Sequence, residues 1–325
     1  MIYKGFCKTL NVSRDSSSDS SGGRKLGLEV AIKVYSKNKV SHTKLRAIKR
    51  EVAMMIFFEK KRVPNTVKIY AAFADDLNYY LVMEYCSGGD LLEWILDRKK
   101  AMHERDAMKL IGLPMLDSLC HLHSMQIIHR DIKLENIFLN SEGQVKLGDF
   151  GLTMCRLQET AISPVGTVEY MAPEVVSLPS VDKIINRQID PKTITPTDEK
   201  VDIWALGVTL YELVTGKLPF GGQDKQAIKK AILGFNLASF PESVSLECQS
   251  IILDMLSYRA EDRPSAFTTR RRIAKWLNRD STSTETSPLL LRNDIVCDVH
   301  PSDFGKDMRV TETQKNDVFS GTVPK

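Results

Sequence analysis

The stretch His129-Arg130-Asp131-Ile132-Lys133-Leu134-Glu135-Asn136 decides how this chain is read, together with Asp149-Phe150-Gly151 downstream. Asp131 is a carboxylate placed to receive a hydroxyl proton. Asn136 and Asp149 are oxygen ligands of the kind a hard divalent cation prefers. Lys133 adds a cation two residues from the base. Moving a phosphoryl group between oxygens asks little covalent chemistry of a protein. It needs a proton acceptor, a metal held on the phosphates, and positive charge where negative charge develops.

Upstream of this stretch the patterning is mixed. Residues 26–35 alternate β-branched side chains and predict a strand. Leu45, Ile48, Val52, Met55 and Ile56 recur at helical spacing, predicting a helix over 41–60 with Ser41 as its N-cap. Residues 66–73 and 78–85 predict two more strands. From Asp90 onward the periodicity is helical, over 90–98, 104–124, 202–215, 224–232, 245–256 and 266–277. Pro114 lies inside the second of these and predicts a distortion, because proline removes one helical hydrogen bond.

Three stretches break the pattern. Residues 13–23, SRDSSSDSSGG, predict a flexible loop, and 177–200, with Pro179, Pro191 and Pro196, a long one. Residues 278–325 are rich in Ser, Thr and Asp and predict a largely disordered tail.

Bulk properties exclude little but point one way. A formal charge of +4, from 45 basic and 41 acidic residues, lacks the strong basic excess of a nucleic-acid binder. No apolar run approaches the ~20 residues of a membrane span, and the N-terminus lacks the apolar core of a signal peptide. The six cysteines are scattered without metal-ligand spacing. These features predict an intracellular protein, cytoplasmic or nuclear, with reduced thiols.

The motifs together resemble the eukaryotic protein kinases. They run in order over residues 1 to about 277: VAIK at 30–33, a helical Glu51, HRDIKLEN at 129–136, DFG at 149–151, APE at 172–174, DIWALG at 202–207, and Arg263. The resemblance implies a two-lobed α+β fold with a small antiparallel sheet, one helix and a larger helical lobe. It implies a small lobe over 1–85, a large lobe over 86–277 and the tail beyond. It also implies ATP and Mg²⁺ as cofactors and transfer to Ser or Thr of protein substrates, Lys133 being the Ser/Thr-type residue at its position.

Roles follow from the same resemblance. Lys33 meets the ATP phosphates and pairs with Glu51. Asp131 is the base, and Asn136 and Asp149 hold metal. Phe150 packs beneath the Glu51 helix near Met55. Met83 is the gatekeeper, the Glu84 carbonyl and Cys86 N–H meet the adenine edge, and Ala31 and Phe138 bracket the ring. Ordinary core packing accounts for Phe138 nearly as well. Asp90 reaches the ribose. Glu174–Arg263, Asp202 and Trp204 are structural.

The Gly-rich loop departs from the pattern. With Phe6 set as the loop aromatic, Ile2, Lys4 and Cys7 stand where glycines belong and Thr9 replaces valine. Either the first strand lies upstream of Met1, or the protein is a pseudokinase that binds and scaffolds. The intact Lys33, Glu51, Asp131, Asn136 and Asp149 favour the former.

The resemblance also implies that Arg130 pairs with an activation-segment phosphate, with Ser163 the best-placed acceptor and Thr167 contacting the catalytic loop. Asp90, Glu135 and Glu212 match positions that bind basic side chains in kinases of this kind and so imply a preference for basic residues before the target. YMAPEVV and VTGKLPF look like the Aurora, Polo-like and calcium/calmodulin-dependent groups. RRRIAKWL at 270–277 fits the last kinase helix better than a calmodulin-binding segment.

Overall fold

A computed structural model describes residues 2–7 and 28–279. The loop at 13–23, Thr9 and nearly all of the tail lie outside the described residues. The first part of the chain is an antiparallel four-stranded sheet in the order β1-β2-β4-β3, from β1 (Ile2–Cys7), β2 (Leu28–Ser36), β3 (Ile69–Ala74) and β4 (Asn78–Glu84). Helix α1 (His42–Lys61) starts where the Ser41 hydroxyl accepts from the Lys44 N–H. It lies against the sheet through a small core of Ile48, Val52 and Leu81.

The register corrects one expectation. Gly5 faces Val30 and Phe6 faces Glu29 along the β1–β2 ladder. The stretch aligned with a phosphate loop is therefore a paired strand, and Phe6 sits in a ladder and not at a loop tip. Alternation along β2 makes the apolar pattern of residues 28–35 fit this sheet.

The remainder is mainly helical. Helix α2 (Leu91–Arg98) is followed by α3 (Glu104–Asp106), a wider π-helical piece (Ala107–Gly112) and α4 (Leu113–Ser124). The predicted distortion is this π segment. The Leu113 N–H reaches back five residues to the Met108 carbonyl immediately before Pro114, whose missing N–H such a segment absorbs.

Two short ribbons follow. One pairs β5 (Ile127–Ile128) with β8 (Met154–Cys155), the other β6 (Ile137–Leu139) with β7 (Val145–Leu147). The short helix α5 (Pro173–Val176) opens the next stretch. The predicted loop over 177–200 instead carries a helical stretch, α6 (Val181–Ile185), and a 3₁₀ turn (Pro191–Thr193) capped by Asp190.

Helix α7 (Lys200–Thr215) is apolar nearly all round and buried along most of its length, as a central core helix should be. Helices α8 (Lys225–Leu233), α9 (Leu246–Met255) and α10 (Ala266–Asn278) pack around the large core to which it belongs. The basic stretch at 270–277 is part of α10, where Ile273 is fully buried and Arg270 pairs with Asp117 of α4. Among the described residues, no helix is long and apolar enough to cross a membrane.

Candidate active site

The loop between β5 and β6 carries the HRD stretch, and one buried carboxylate shapes it. Asp202, at the start of α7, accepts from the backbone N–H groups of His129 and Arg130 at 2.9 Å each and lies 2.9 Å from His123 Nε2. Burial alone would raise its pKa. The hydrogen bond and charge of His123 outweigh that and hold it below the ordinary aspartate value. The clamp holds Arg130 at φ +69°, a left-handed conformation that costs a non-glycine residue on the order of 1–3 kcal/mol. The His129 ring is fully buried, which lowers its pKa. It accepts at Nδ1 from the Asp131 N–H and donates from Nε2 to the Gly148 carbonyl, the pattern of one neutral tautomer.

Asp131 sits at the centre of a hydrogen-bonded cluster. Asn136 donates through Nδ2 to the Asp131 carbonyl (2.8 Å) and to its Oδ2 (2.9 Å), which leaves the Asn136 side-chain oxygen for another partner. Thr167 donates to Asp131 Oδ1 from its N–H (3.2 Å) and its hydroxyl (3.1 Å). Lys133 Nζ reaches the Thr167 hydroxyl at 2.8 Å and lies 3.4 Å from Asp131 Oδ2. The activation segment comes this close because residue 166 is glycine: φ is +112°, and a Cβ would stand 2.7 Å from the Arg130 carbonyl oxygen.

A second cluster joins β2, α1 and the Asp149 loop. Lys33 Nζ donates to Glu51 Oε1 at 2.7 Å, joining β2 to α1, and lies 3.6 Å from Asp149 Oδ1. Burial would pull the Lys33 ammonium down, but Glu51 and Asp149 outweigh it and hold the pKa above the ordinary lysine value. Burial likewise pushes Asp149 up, and the Lys33 charge, the Gly151 N–H and further nearby charges together reverse this, so the carboxylate is ionised. Phe150 is fully buried between Phe58 of α1 (5.0 Å between ring centroids) and His129 (5.3 Å). Its ring therefore lies beneath α1 as expected, with Phe58 the aromatic partner, one turn beyond Met55.

Backbone pairing fixes several of the residues expected around the adenine. Ala31 pairs with Met83 and Val30 with Glu84 across the β2–β4 ladder. The Glu84 side chain is drawn to Lys146 (3.4 Å) and to the Lys68 N–H (3.2 Å). Burial, then Glu84, pushes the Cys86 thiol up to about 12. Asp90 spends Oδ1 on the Glu93 N–H as the N-cap of α2, and its backbone bridges to Phe138. The Phe138 ring lies over Gly148, where a Cβ would stand 2.8 Å from it.

The remaining predicted residues lie in the large lobe's core and beside the catalytic loop. Arg263 makes a two-point contact with Glu174 (2.6 and 2.7 Å) and stacks on Trp204 at 4.9 Å. Ser163 and Arg130 line the same small cavity, yet the Arg130 Nε donates to the Leu152 carbonyl. Burial, then Arg50, brings the Arg130 pKa down to about 10.

Several contacts escaped the motif reading. Arg50 binds both oxygens of Glu159 (2.7 and 2.9 Å), tying α1 to the activation segment. Thr197, in the 177–200 stretch, donates from its N–H (3.0 Å) to the Ala161 carbonyl, and Glu199 pairs with Arg156 at 2.5 Å. The Tyr170 hydroxyl donates to Glu212 at 2.6 Å. Tyr35 donates to Glu51, and only its place two residues beyond Lys33, on the same strand face, hinted at it.

The donor set fits Mg²⁺, which is commonly held by one or two carboxylates plus substrate phosphates and not by an all-protein cage. The ionised Asp149 and the side-chain oxygen of Asn136 are the residues that would hold it.

Comparison with known proteins agrees with this geometry. The family model described as "Protein kinase domain" matches residues 21–274. The chain is 33% identical over 269 residues to "Serine/threonine-protein kinase Nek5" of Homo sapiens, covering 80% of this chain and 35% of that protein. It is 33% identical over 235 residues to "Aurora kinase" of Candida glabrata, covering 72% of this chain and 60% of that one. Over 191 residues, 58% of this chain and 23% of the relative, it is 38% identical to "Ribosomal protein S6 kinase alpha-1" of Homo sapiens. The chain thus spans about a third of the Nek5 relative and under two thirds of the Aurora relative.

Proposed function

The chain belongs to the protein kinase family, a family that generally uses ATP and Mg²⁺, and from that premise we propose that it transfers the γ-phosphoryl group of ATP to Ser or Thr hydroxyls of protein substrates. The observation that carries the proposal is a pair of clusters linked through His129, which accepts from the Asp131 N–H and whose ring lies 5.3 Å from Phe150, next to Asp149. Asp131, Lys133, Asn136 and Thr167 share one hydrogen-bond network, while Lys33, Glu51 and Asp149 form the other. Asp131 receives the substrate hydroxyl proton and orients that oxygen. Lys133 meets charge developing on the transferred group. Lys33, aimed by Glu51, meets the phosphates. Asn136 and Asp149 would hold the metal, which would supply positive charge against the phosphates. Ala31, Met83, Phe138 and the backbone at Glu84 and Cys86 hold the adenine, with Asp90 toward the ribose.

The test is phosphate transfer from ATP to a Ser/Thr peptide library by wild type and Asp131→Asn. Wild-type transfer that falls by about 10²- to 10⁴-fold in the variant, with nucleotide binding retained, supports the enzyme. Nucleotide binding without transfer in the wild type would instead favour the pseudokinase scaffold.

Two finer readings go with it. Glu212 is half-buried, and that burial raises its pKa, with Glu135 and Glu169 adding repulsion. Glu135 Oε2 is buried and has no hydrogen-bond partner. Acids crowded this way gain from an incoming cation, so substrates carry Arg or Lys before the target; a positional peptide library without basic preference rejects this. Ser163 is the proposed activation-segment phosphorylation site. Ser163→Ala then lowers peptide turnover, and an unmodified, fully active protein rejects it.

A further inference from the structure

Glu51 is 3% exposed, so both of its carboxylate oxygens need partners. Lys33 supplies one, at Oε1. The other, Oε2, receives the Tyr35 hydroxyl at 3.2 Å. The strand makes this possible. Lys33 and Tyr35 are two residues apart on β2, so both side chains leave the same face, toward α1. The ring is itself held: Lys44, on the first turn of α1, lies 5.5 Å from its centroid, Lys33 lies 5.7 Å from it, and Tyr35 packs against the Ile48–Val52–Leu81 core.

We propose that Tyr35 is a positioning residue of the phosphoryl-transfer site: its hydroxyl fixes the rotamer of Glu51 and so the direction of Lys33. This rests on the kinase reading given above. Nothing in the VAIK motif calls for a tyrosine two positions on, so the device belongs to this chain's own sequence. A single bond from a flexible lysine leaves a glutamate free to rotate about its last torsion. A second donor from the rigid strand removes that freedom. It also stabilises selectively the placement of α1 in which Glu51 reaches the sheet, because a helix displaced outward loses both bonds together. Burial, then the Glu51 charge, pushes the phenol up to about 12, so it remains a donor throughout the neutral range.

Tyr35→Phe tests this, because the ring and its packing stay and only the hydroxyl goes. The expected result is a fall in kcat/KM for ATP of roughly 10- to 100-fold, the scale of one hydrogen bond to a charged group. KM for peptide stays as in the wild type. In a Glu51→Gln background the same change has little further effect, whereas a purely structural tyrosine costs the same in both. Hydrogen exchange of α1 amides around Glu51, which needs no turnover, rises in Tyr35→Phe and not elsewhere. Kinetics and α1 exchange matching the wild type overturn the proposal, as does equal loss in the two backgrounds. An inactive wild type whose α1 exchange still responds to Tyr35→Phe counts against the kinase reading and not against the role of Tyr35 in holding Glu51.

Discussion

Two acid–base pairs of similar chemistry hold this molecule in opposite ways. Glu174 and Arg263 are 89 residues apart, and Glu51 and Lys33 are 18. The Arg263 side chain is 0% exposed, and its remaining donors go to the carbonyls of Ser257, Tyr258 and Lys200. Every direction is spent, so the pair is a rivet. The Lys33 side chain keeps 17% exposure and looks past Glu51 toward Asp149 at 3.6 Å. It has a partner on one side and a site on the other. A pair surrounded by backbone carbonyls carries stability; a pair with one open side carries chemistry. Tyr35 belongs to the second kind, because it completes Glu51 without closing off Lys33.

The comparison breaks most visibly at the rivet. Arg263→Ala leaves the Glu174 carboxylate without its cation and should lower unfolding stability by about 3–5 kcal/mol. Denaturant titration measures it, and a loss below experimental scatter would mean that the pair is not the clamp described. Lys33→Met should act on chemistry as well as stability. Its kcat/KM for ATP falls by about 10²- to 10³-fold, the scale of losing one charge-stabilising donor, and the unfolding midpoint also falls, because Glu51 is left buried without its cation.

A pH series sharpens the contrast at the catalytic loop. His129 is neutral in the fold, its pKa lowered by burial. Below the ordinary histidine value of about 6.5 the unfolded chain takes up a proton that the fold refuses, so stability falls as pH drops through that value. Asp202, with a lowered pKa, keeps its contribution above the ordinary aspartate value and loses it only at more acid pH. Thermal midpoints should therefore decline between about pH 7 and pH 5, and His129→Phe should flatten that part of the curve.

Glu212 gives the smallest effect. It is an acid whose partner in the chain is a phenol, Tyr170, and not a cation. Glu212→Gln should weaken any preference for basic peptides by roughly two- to fivefold, the scale of a partly screened charge pair, with turnover of neutral peptides unchanged.

Much of the fold was legible because its signals are local. The α1 periodicity with Ser41 as cap, the β4 run and the π distortion before Pro114 all stand where patterning put them. The errors have physical reasons. Phe6 was read as a loop aromatic, but strand pairing is a property of two segments and β1 carries no turn signal of its own. The 177–200 stretch lacked periodicity because its helical stretch is short and leaves Val181 and Ile185 exposed. Its tie to the activation segment runs through the Thr197 N–H, a group every residue but proline possesses, so no residue type announces it.

The chain's own letters settled which reactive groups exist and in what order: an acid, an amide and a lysine within six positions, then a second acid preceding Phe150 and Gly151. Such spacing is short-range, and chemistry of this kind needs particular residue types. Folding alone decided how the acids were shared out. Glu51 went to Lys33 and Tyr35, Glu174 to Arg263, Asp202 to the backbone of the catalytic loop, and Glu159 to Arg50. Many cations lie within reach of a flexible chain. Which one an acid meets depends on the packing of helices and strands far apart in sequence, and on which face of each element is buried.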